Sequence, residues 1–155
     1  MAKEKDRIQK HVNIVNRKAS FEFQFIEKYI AGMMLKGTEI KSIREGKVNL
    51  QDGYCVFQRQ ELWLHNAHIA PYTEGTHYNH EPTRPRKLLL SKRELRKLES
   101  GAEEQGITII PYRVFISERG FAKVEIALAR GKKLYDKRQD IKEKDVKREM
   151  DRAGY

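Results

Sequence analysis

Between residues 84 and 97 the chain carries seven basic side chains, Arg84, Arg86, Lys87, Lys92, Arg93, Arg96 and Lys97, against one acidic one, Glu94. Such a density suits a polyanion, because a guanidinium forks onto phosphate oxygens and each phosphate neutralised releases counterions. A solvated helix face accounts for the members from Lys92 onward. It does not account for Arg84, Arg86 and Lys87, set between and after Pro82 and Pro85 in a stiffened loop, and phosphate contact is the better reading there. A second run, residues 130–138, places five basic groups and Tyr135 within nine residues. Taken blandly it is a soluble tail, yet cations with an aromatic on a flexible lever also suit an RNA groove or channel. The whole chain, 155 residues with a net charge of +10, points the same way, toward nucleic acid before an acidic or small neutral partner.

Other chemistries find little support. His65, His68, His77 and His80 form two H-x-x-H pairs, but residues three apart on a strand face opposite ways, so a hydrogen-bonded or core histidine is expected and no metal. No phosphate-binding glycine loop, dinucleotide fingerprint or nucleophile elbow occurs, and the carboxylates Glu39 and Asp52 have no spacing that recommends hydrolysis. The chain therefore reads as a binding protein, without cofactor, rather than an enzyme. Cys55 is the single cysteine, excluding an internal disulfide and reading as a small buried apolar residue. With no long apolar run or lipidation motif, a soluble cytoplasmic monomer off the membrane is expected. Trp63, Tyr72, Tyr78, Tyr112 and Tyr135 are candidates for stacking on bases, each of them also at home in a core or at a barrel rim.

The elements that must position these groups are organised around residues 37–50. Thr38 can cap a helix, Ile40 and Ile43 stand at i and i+3, and Gly46 suits the left-handed residue that ends it. The apolar side is narrow, so Glu39, Lys41, Ser42 and Arg44 are expected near water. This stretch alone reads first as a solvated helix plugging a small barrel and second as a binding surface.

Residues 1–11 make a flexible basic arm, 12–15 a sheet edge and 16–18 a polar corner. Phe21, Phe23 and Phe25 alternate with Glu22 and Gln24 as a strand continued over 29–35, with a bulge or close backbone approach at Gly32. Residues 54–58 and 61–70 form a hairpin whose connector, Arg59 and Gln60, lacks the usual glycine or asparagine, so a longer turn is expected. Along its second strand Leu62 and Leu64 share one face, and Trp63, His65, Ala67 and Ile69 the other. Residues 72–87 form a long irregular segment. Ser91 and Glu94 make a capping box opening a helix with Leu95 and Leu98 inward. Residues 107–116 form a strand bulged or edged at Pro111, paired with 121–129, where Lys123 and Glu125 take the wet face. Beyond Gly131 apolar residues are too sparse to bury, so 131–155 should be a basic tail, disordered alone and helix-ready on a partner, leaving one domain over 12–130.

Three segments, residues 35–44 (LKGTEIKSIR), 82–90 (PTRPRKLLL) and 129–138 (ARGKKLYDKR), closely resemble the small protein B family, SmpB, partner of transfer-messenger RNA (tmRNA) in bacterial trans-translation. The resemblance runs over nearly the whole chain from Val12. It implies a mainly β fold, an antiparallel β-barrel of oligonucleotide-binding type with flanking short α-helices, and an adaptor that does no chemistry. It implies binding to the tRNA-like domain of tmRNA, alanylated by alanyl-tRNA synthetase and accompanied by elongation factor Tu, and delivery to stalled ribosomes. By this resemblance Glu39, Lys41, Arg44, Lys47, Asn49, Arg84, Arg86, Lys87, Leu90 and Lys123 meet RNA. The tail would enter the decoding centre and empty message channel through Gly131, Lys132, Lys133, Tyr135, Asp136, Lys137 and Arg138. A ribosomal or other translation-associated RNA-binding barrel is the alternative. The chain departs from the family at Ile30, where an acidic residue is common, and at Tyr135, where histidine is.

Overall fold

The computed structural model describes residues 12–73 and 79–132. Its strands are β1 Asn13–Val15, β2 Phe23–Met33, β3 Val48–Asn49, β4 Tyr54–Gln58, β5 Glu61–His65, β6 His68–Ile69, β7 Arg86–Leu89, β8 Ile107–Ile116 and β9 Ala122–Gly131. Its helices are α1 Arg17–Glu22, α2 Gly37–Arg44 and α3 Lys92–Ala102. Seven strands form one sheet in the order β1-β8-β4-β5-β7-β2-β9, every pair antiparallel, and β9 pairs again with β8, so the sheet closes into a barrel with β1 laid on β8. β3 and β6 make a separate two-stranded ribbon. The mainly β barrel with short flanking helices is thus the expected class. The arm, residues 1–11, and the tail from residue 133 lie outside the described residues.

Alternation of apolar residues builds the barrel. Val124, Ile126 and Leu128 of β9 pack with Ile109 and Val114 of β8, Leu62 and Leu64 of β5, and Leu88 of β7 in one core. Cys55 belongs to it at 4 % exposure, and burial pushes its thiol pKa well up, as an inert apolar residue requires. On β9 the wet face ends at Glu125, because Ala127 and Ala129 are also buried. Ala129 joins Ala19 and Ile110 in a second small core.

That second core belongs to a helix the pattern of phenylalanines conceals. Residues 17–22 are helical rather than a corner and the start of a strand, so Phe21 and Glu22 leave the predicted alternation. Asn16 decides it: its side chain accepts from Ala19 N at 3.2 Å as an N-cap, and its amide donates to Leu50 O and Pro111 O, each at 3.0 Å. β2 then runs eleven residues, bulged between Phe25 and Glu27 rather than at Gly32.

The hairpin also departs from expectation. Arg59 and Gln60 take left-handed φ of 52° and 66°, and Gln58 pairs directly with Glu61, so the turn has only two residues. Its geometry matches strand twist without glycine, at a cost of about 1–2 kcal/mol per residue in that region. The strand predicted over 61–70 breaks at Asn66, φ 59°, into β5 and β6. The break turns Ala67 and Ile69 into the core, with 1 % and 2 % exposure, instead of onto the face of Trp63 and His65.

α3 follows its sequence closely. Ser91 Oγ accepts from Glu94 N, Glu94 Oε1 accepts from Ser91 N, and Leu98 is fully buried. Pro111 in β8 coincides with a register shift between Pro111 and Arg113.

Candidate nucleic-acid interface

α2 and β7 bring opposite charges together before they present any to solvent. Helix α2 is N-capped at Lys36, not Thr38; Glu39 Oε1 accepts from Lys36 N at 2.8 Å. Glu39 is fully buried, and its two carboxylate oxygens accept from Arg84 Nη2 and Arg86 Nε, each at 2.6 Å. Arg86 is fully buried as well and donates to Ala67 O, Pro82 O and Glu81 O at 2.7, 3.0 and 3.5 Å. Arg84 Nη2 also reaches Met34 O at 3.3 Å. At the residue before Glu39, His80 bridges Thr38 Oγ1 at 2.8 Å and Ile69 O at 2.9 Å, a hydrogen-bonded core histidine. Two rows of side chains therefore stitch the 79–86 segment to α2.

Burial alone would push the Glu39 carboxyl up. The hydrogen bonds from Arg84, Lys36 N and Arg86, with the Arg86 charge, outweigh it and hold the pKa below the usual carboxylate range. The Arg86 pKa is lowered by its own burial, against the opposing pull of Glu39. The pair is ionic and sealed, so the expectation that Glu39 and Ser42 stand near water is corrected: both are fully buried. Arg86 and Lys87 lie in a strand rather than a loop, and Arg86 offers no guanidinium surface to a phosphate. Its parity announces this, because Arg86 shares the inward side of β7 with Leu88.

The outward parity leads to an open groove. Gly32 and Met33 of β2, Ile40 and Arg44 of α2, Leu89 of β7 and Lys123 of β9 line about 450 Å³, with Arg119 and Phe121 from the β8–β9 turn. A Cβ on Gly32 would stand 3.4 Å from Leu89 Cβ and 3.6 Å from Lys123 Nζ, so the missing side chain lets both neighbours close over the strand. Phe121 and Leu89 are 63 % and 48 % exposed in the groove, and Ile30, 52 % exposed, lies outside its lining. Arg44 Nε is buried without a hydrogen-bond partner among the described residues. Cations beside exposed apolar and aromatic groups can hold a phosphate and cover a base together.

The structure thus gathers Arg44 and Lys123 and adds Leu89, Arg119 and Phe121, which sequence reasoning passed over. Period two carried the signal for two of them: Leu89 has the parity opposite to Leu88, and Phe121 that of Lys123. Leu90 packs partly buried against the core instead. Lys41 is exposed, its Nζ 5.4 Å from the Tyr72 ring. Lys87 is tied to Glu61 at 3.0 Å. Lys47 pairs with Glu45 at 3.0 Å, and Asn49 sits on the β3–β6 ribbon beside Asn66 and His68, outside the groove. Gly131 ends β9, and Lys132 donates through its backbone to Glu22 O at 2.8 Å. Lys133, Tyr135, Asp136, Lys137 and Arg138 lie outside the described residues, as do Tyr78 and His77. Of the other aromatics, Trp63 is half-buried, and Tyr112 meets the Phe25 ring edge-on at 5.1 Å. No helix of the described residues is long and apolar enough to cross a membrane.

Known proteins align with nearly all of this chain. The family model described as SmpB protein matches residues 13–154. The chain is 58 % identical to the SsrA-binding protein of Cytophaga hutchinsonii over 145 residues, 94 % of this chain and 95 % of that one. It is 54 % identical to the SsrA-binding protein of Trichodesmium erythraeum over 99 % and 97 % of the two. A solved structure described as "tmRNA-SmpB: a journey to the center of the bacterial ribosome" is similar at a TM-score of 0.69 and 46 % identity, over 80 % of this chain and 87 % of that one.

Proposed function

The chain belongs to the SmpB protein family, and on that premise we propose that it is an RNA-binding adaptor, not an enzyme, which binds the tRNA-like domain of tmRNA and delivers it to stalled ribosomes. The observation that carries the reading is the groove, where Arg44, Arg119 and Lys123 surround exposed Leu89 and Phe121 on a strongly basic chain. Phosphates meet the cations while an unpaired base covers the aromatic and aliphatic side chains. The Glu39–Arg84–Arg86 cluster touches no RNA through its buried groups. It fixes α2 against β7, and so fixes Arg44 relative to Leu89 and Lys123.

The barrel acts alone, as a cytoplasmic monomer, and meets elongation factor Tu and alanyl-tRNA synthetase only through the tmRNA. Residues 131–155 are the ribosome-facing arm, with Tyr135 stacking and Lys133, Asp136, Lys137 and Arg138 as polar contacts in the decoding centre and empty message channel.

A salt-series titration against the tRNA-like domain of tmRNA, beside an ordinary tRNA of similar length, tests the proposal. Preference for the tmRNA fragment that survives physiological salt supports it. Equal and equally salt-sensitive binding leaves a general basic RNA-binding barrel, such as a ribosomal protein, and overturns the adaptor reading.

A further inference from the structure

Helix α3 wears its charges in the wrong order for its own stability. A helix dipole favours acidic groups in the first turn and basic groups in the last. Here Lys92, Arg93, Arg96 and Lys97 crowd the first half, no basic residue stands in the last turn, and Glu99 and Glu103 lie toward the C-terminal end. The one acidic group of the first turn, Glu94, is engaged with Ser91 in the capping box, so the end amides are already served. All four cations are exposed, and none forms an ion pair with a described residue. At about 100° per residue they fall on one arc of the helix, opposite the buried Leu98. Local rules broken without compensation mark functional surfaces.

The arc also begins where the groove ends. Leu89 lines the groove and Lys92 follows three residues later, within about 10 Å along the chain. Farther on, Arg96 and Lys97 flank Ile26 and Glu27, six residues from Gly32 and on the order of 20 Å down β2. α3 therefore leads away from the groove along the barrel. Unlike the groove, the arc presents no apolar or aromatic side chain: Lys92, Arg93, Arg96, Lys97 and Ser100 are all polar. Its exposed apolar neighbour is Ile26 of β2, too little to anchor in a lipid surface, and the arc carries no aromatic on which a base could stack. Evenly exposed cations of this kind suit the regular phosphate backbone of duplex RNA, read by charge alone.

We propose that the Lys92, Arg93, Arg96, Lys97 arc of α3 continues the RNA-binding surface and holds the phosphate backbone of the double-helical stem whose unpaired end lies in the groove. The inference rests on the tmRNA reading of the groove, and assigns the stem to a surface that reading leaves unused.

The test uses the full chain with Lys92→Gln, Arg93→Gln, Arg96→Gln and Lys97→Gln together, titrated over a salt series against the tRNA-like domain of tmRNA, a plain RNA duplex of about 20 base pairs, and phosphatidylglycerol vesicles. The expected result is a loss of roughly tenfold or more for the tRNA-like domain near 0.1 M salt, a log–log salt slope shallower by about three to four, and loss of duplex binding. A second variant, Lys92→Glu with Arg93→Glu, should lose RNA affinity while its thermal midpoint rises, because the helix dipole then favours the new charges. Unchanged affinity and slope in the glutamine variant overturn the inference, as does a lowered midpoint in the glutamate variant, which would make the cations structural. Vesicle binding lost in the variant while RNA binding is kept would give the arc to a membrane instead. If the wild-type chain does not prefer tmRNA over tRNA, the adaptor reading falls; if it does and the glutamine variant matches it, only the arc falls.

Discussion

Glu39 and Arg44 lie five residues apart on α2, and Arg86 and Leu89 three apart on β7, yet one member of each pair is sealed and the other lines the open groove. The sealed members neutralise each other through hydrogen bonds of 2.6 Å, with Arg84 completing the carboxylate's shell. Of the open members, Arg44 is half-buried with its Nε unpartnered among the described residues, and Leu89 is largely exposed. Arginine therefore serves two ends. Charges paired inside set the angle between helix and strand, and side chains left at the groove remain available to a ligand. The contrast can be broken from the sealed side, with a large loss of stability, or from the open side, with a loss of binding and little else.

The largest effect is expected from Glu39→Ala. Removing the carboxylate strands a fully buried guanidinium, and breaking a buried ion pair by deleting one partner costs about 3–5 kcal/mol. That is a large share of the total stability of a domain, typically about 5–15 kcal/mol. Urea unfolding should show it, and RNA affinity should fall by a smaller factor, because the cluster holds Arg44 in place in the groove. A variant with near wild-type stability but lost RNA affinity would instead move Glu39 into the binding surface.

Acid should reach the same cluster next. The Glu39 pKa is depressed on folding below its ordinary 4.5, so its contribution to stability is fully present above the unfolded value and is lost as pH falls through the folded one. Each unit of depression is worth about 1.4 kcal/mol. Denaturant midpoints followed from pH 7 downward should stay level to about pH 5 and then fall, and Glu39→Gln, weaker at neutral pH, should show a flatter acid limb. An acid limb of equal slope in the two proteins would show that other carboxylates carry it.

How much of this contrast the sequence displays depends on how far apart the deciding partners are. The α3 capping box is legible because Ser91 and Glu94 are three residues apart, and the β9 core face because period two is local. α1 is not, since its cap Asn16 is held by carbonyls 34 and 95 residues away, and three phenylalanines at even spacing then imitate a strand. The two-residue turn at Arg59 and Gln60 is set by the pairing of its strands, which overrides the residues' own preferences. For the site, residue type showed charge but not pairing. Arg86 has the residue type of a phosphate ligand, but in strand β7 it shares parity with Leu88 and is turned inward. Leu89 and Phe121 take the opposite parity and stand exposed, though an apolar residue type alone does not show which face it takes.

From the open side, Lys123→Ala and Phe121→Ala should leave unfolding midpoints nearly unchanged, since Phe121 is mostly exposed and Lys123 only half-buried. In affinity for the tRNA-like domain, loss of a stacked base contact costs about 1–3 kcal/mol. Phe121→Ala should show that loss at every salt concentration. Lys123→Ala should weaken binding chiefly at low salt and reduce the slope by about one. If the two variants show the same salt dependence, the division of the groove into a base-covering and a phosphate-holding part is wrong.

The smallest effect separates charge near RNA from charge on it. Lys47 is exposed, paired with Glu45 Oε2 at 3.0 Å, and outside the groove. A surface pair of this kind contributes about 0–1 kcal/mol to stability. Lys47→Ala removes a positive charge from the chain as Lys123→Ala does, and long-range attraction should drop comparably at low salt. Such attraction fades beyond a screening length of about 8 Å at physiological ionic strength. Both variants should therefore approach wild-type affinity as salt rises, Lys123→Ala from the larger low-salt deficit and with a slope lower by about one, Lys47→Ala from a small deficit with its slope nearly kept. A deficit and slope loss in Lys47→Ala equal to those of Lys123→Ala would extend the contact surface from the groove past the end of α2 toward the β3–β6 ribbon.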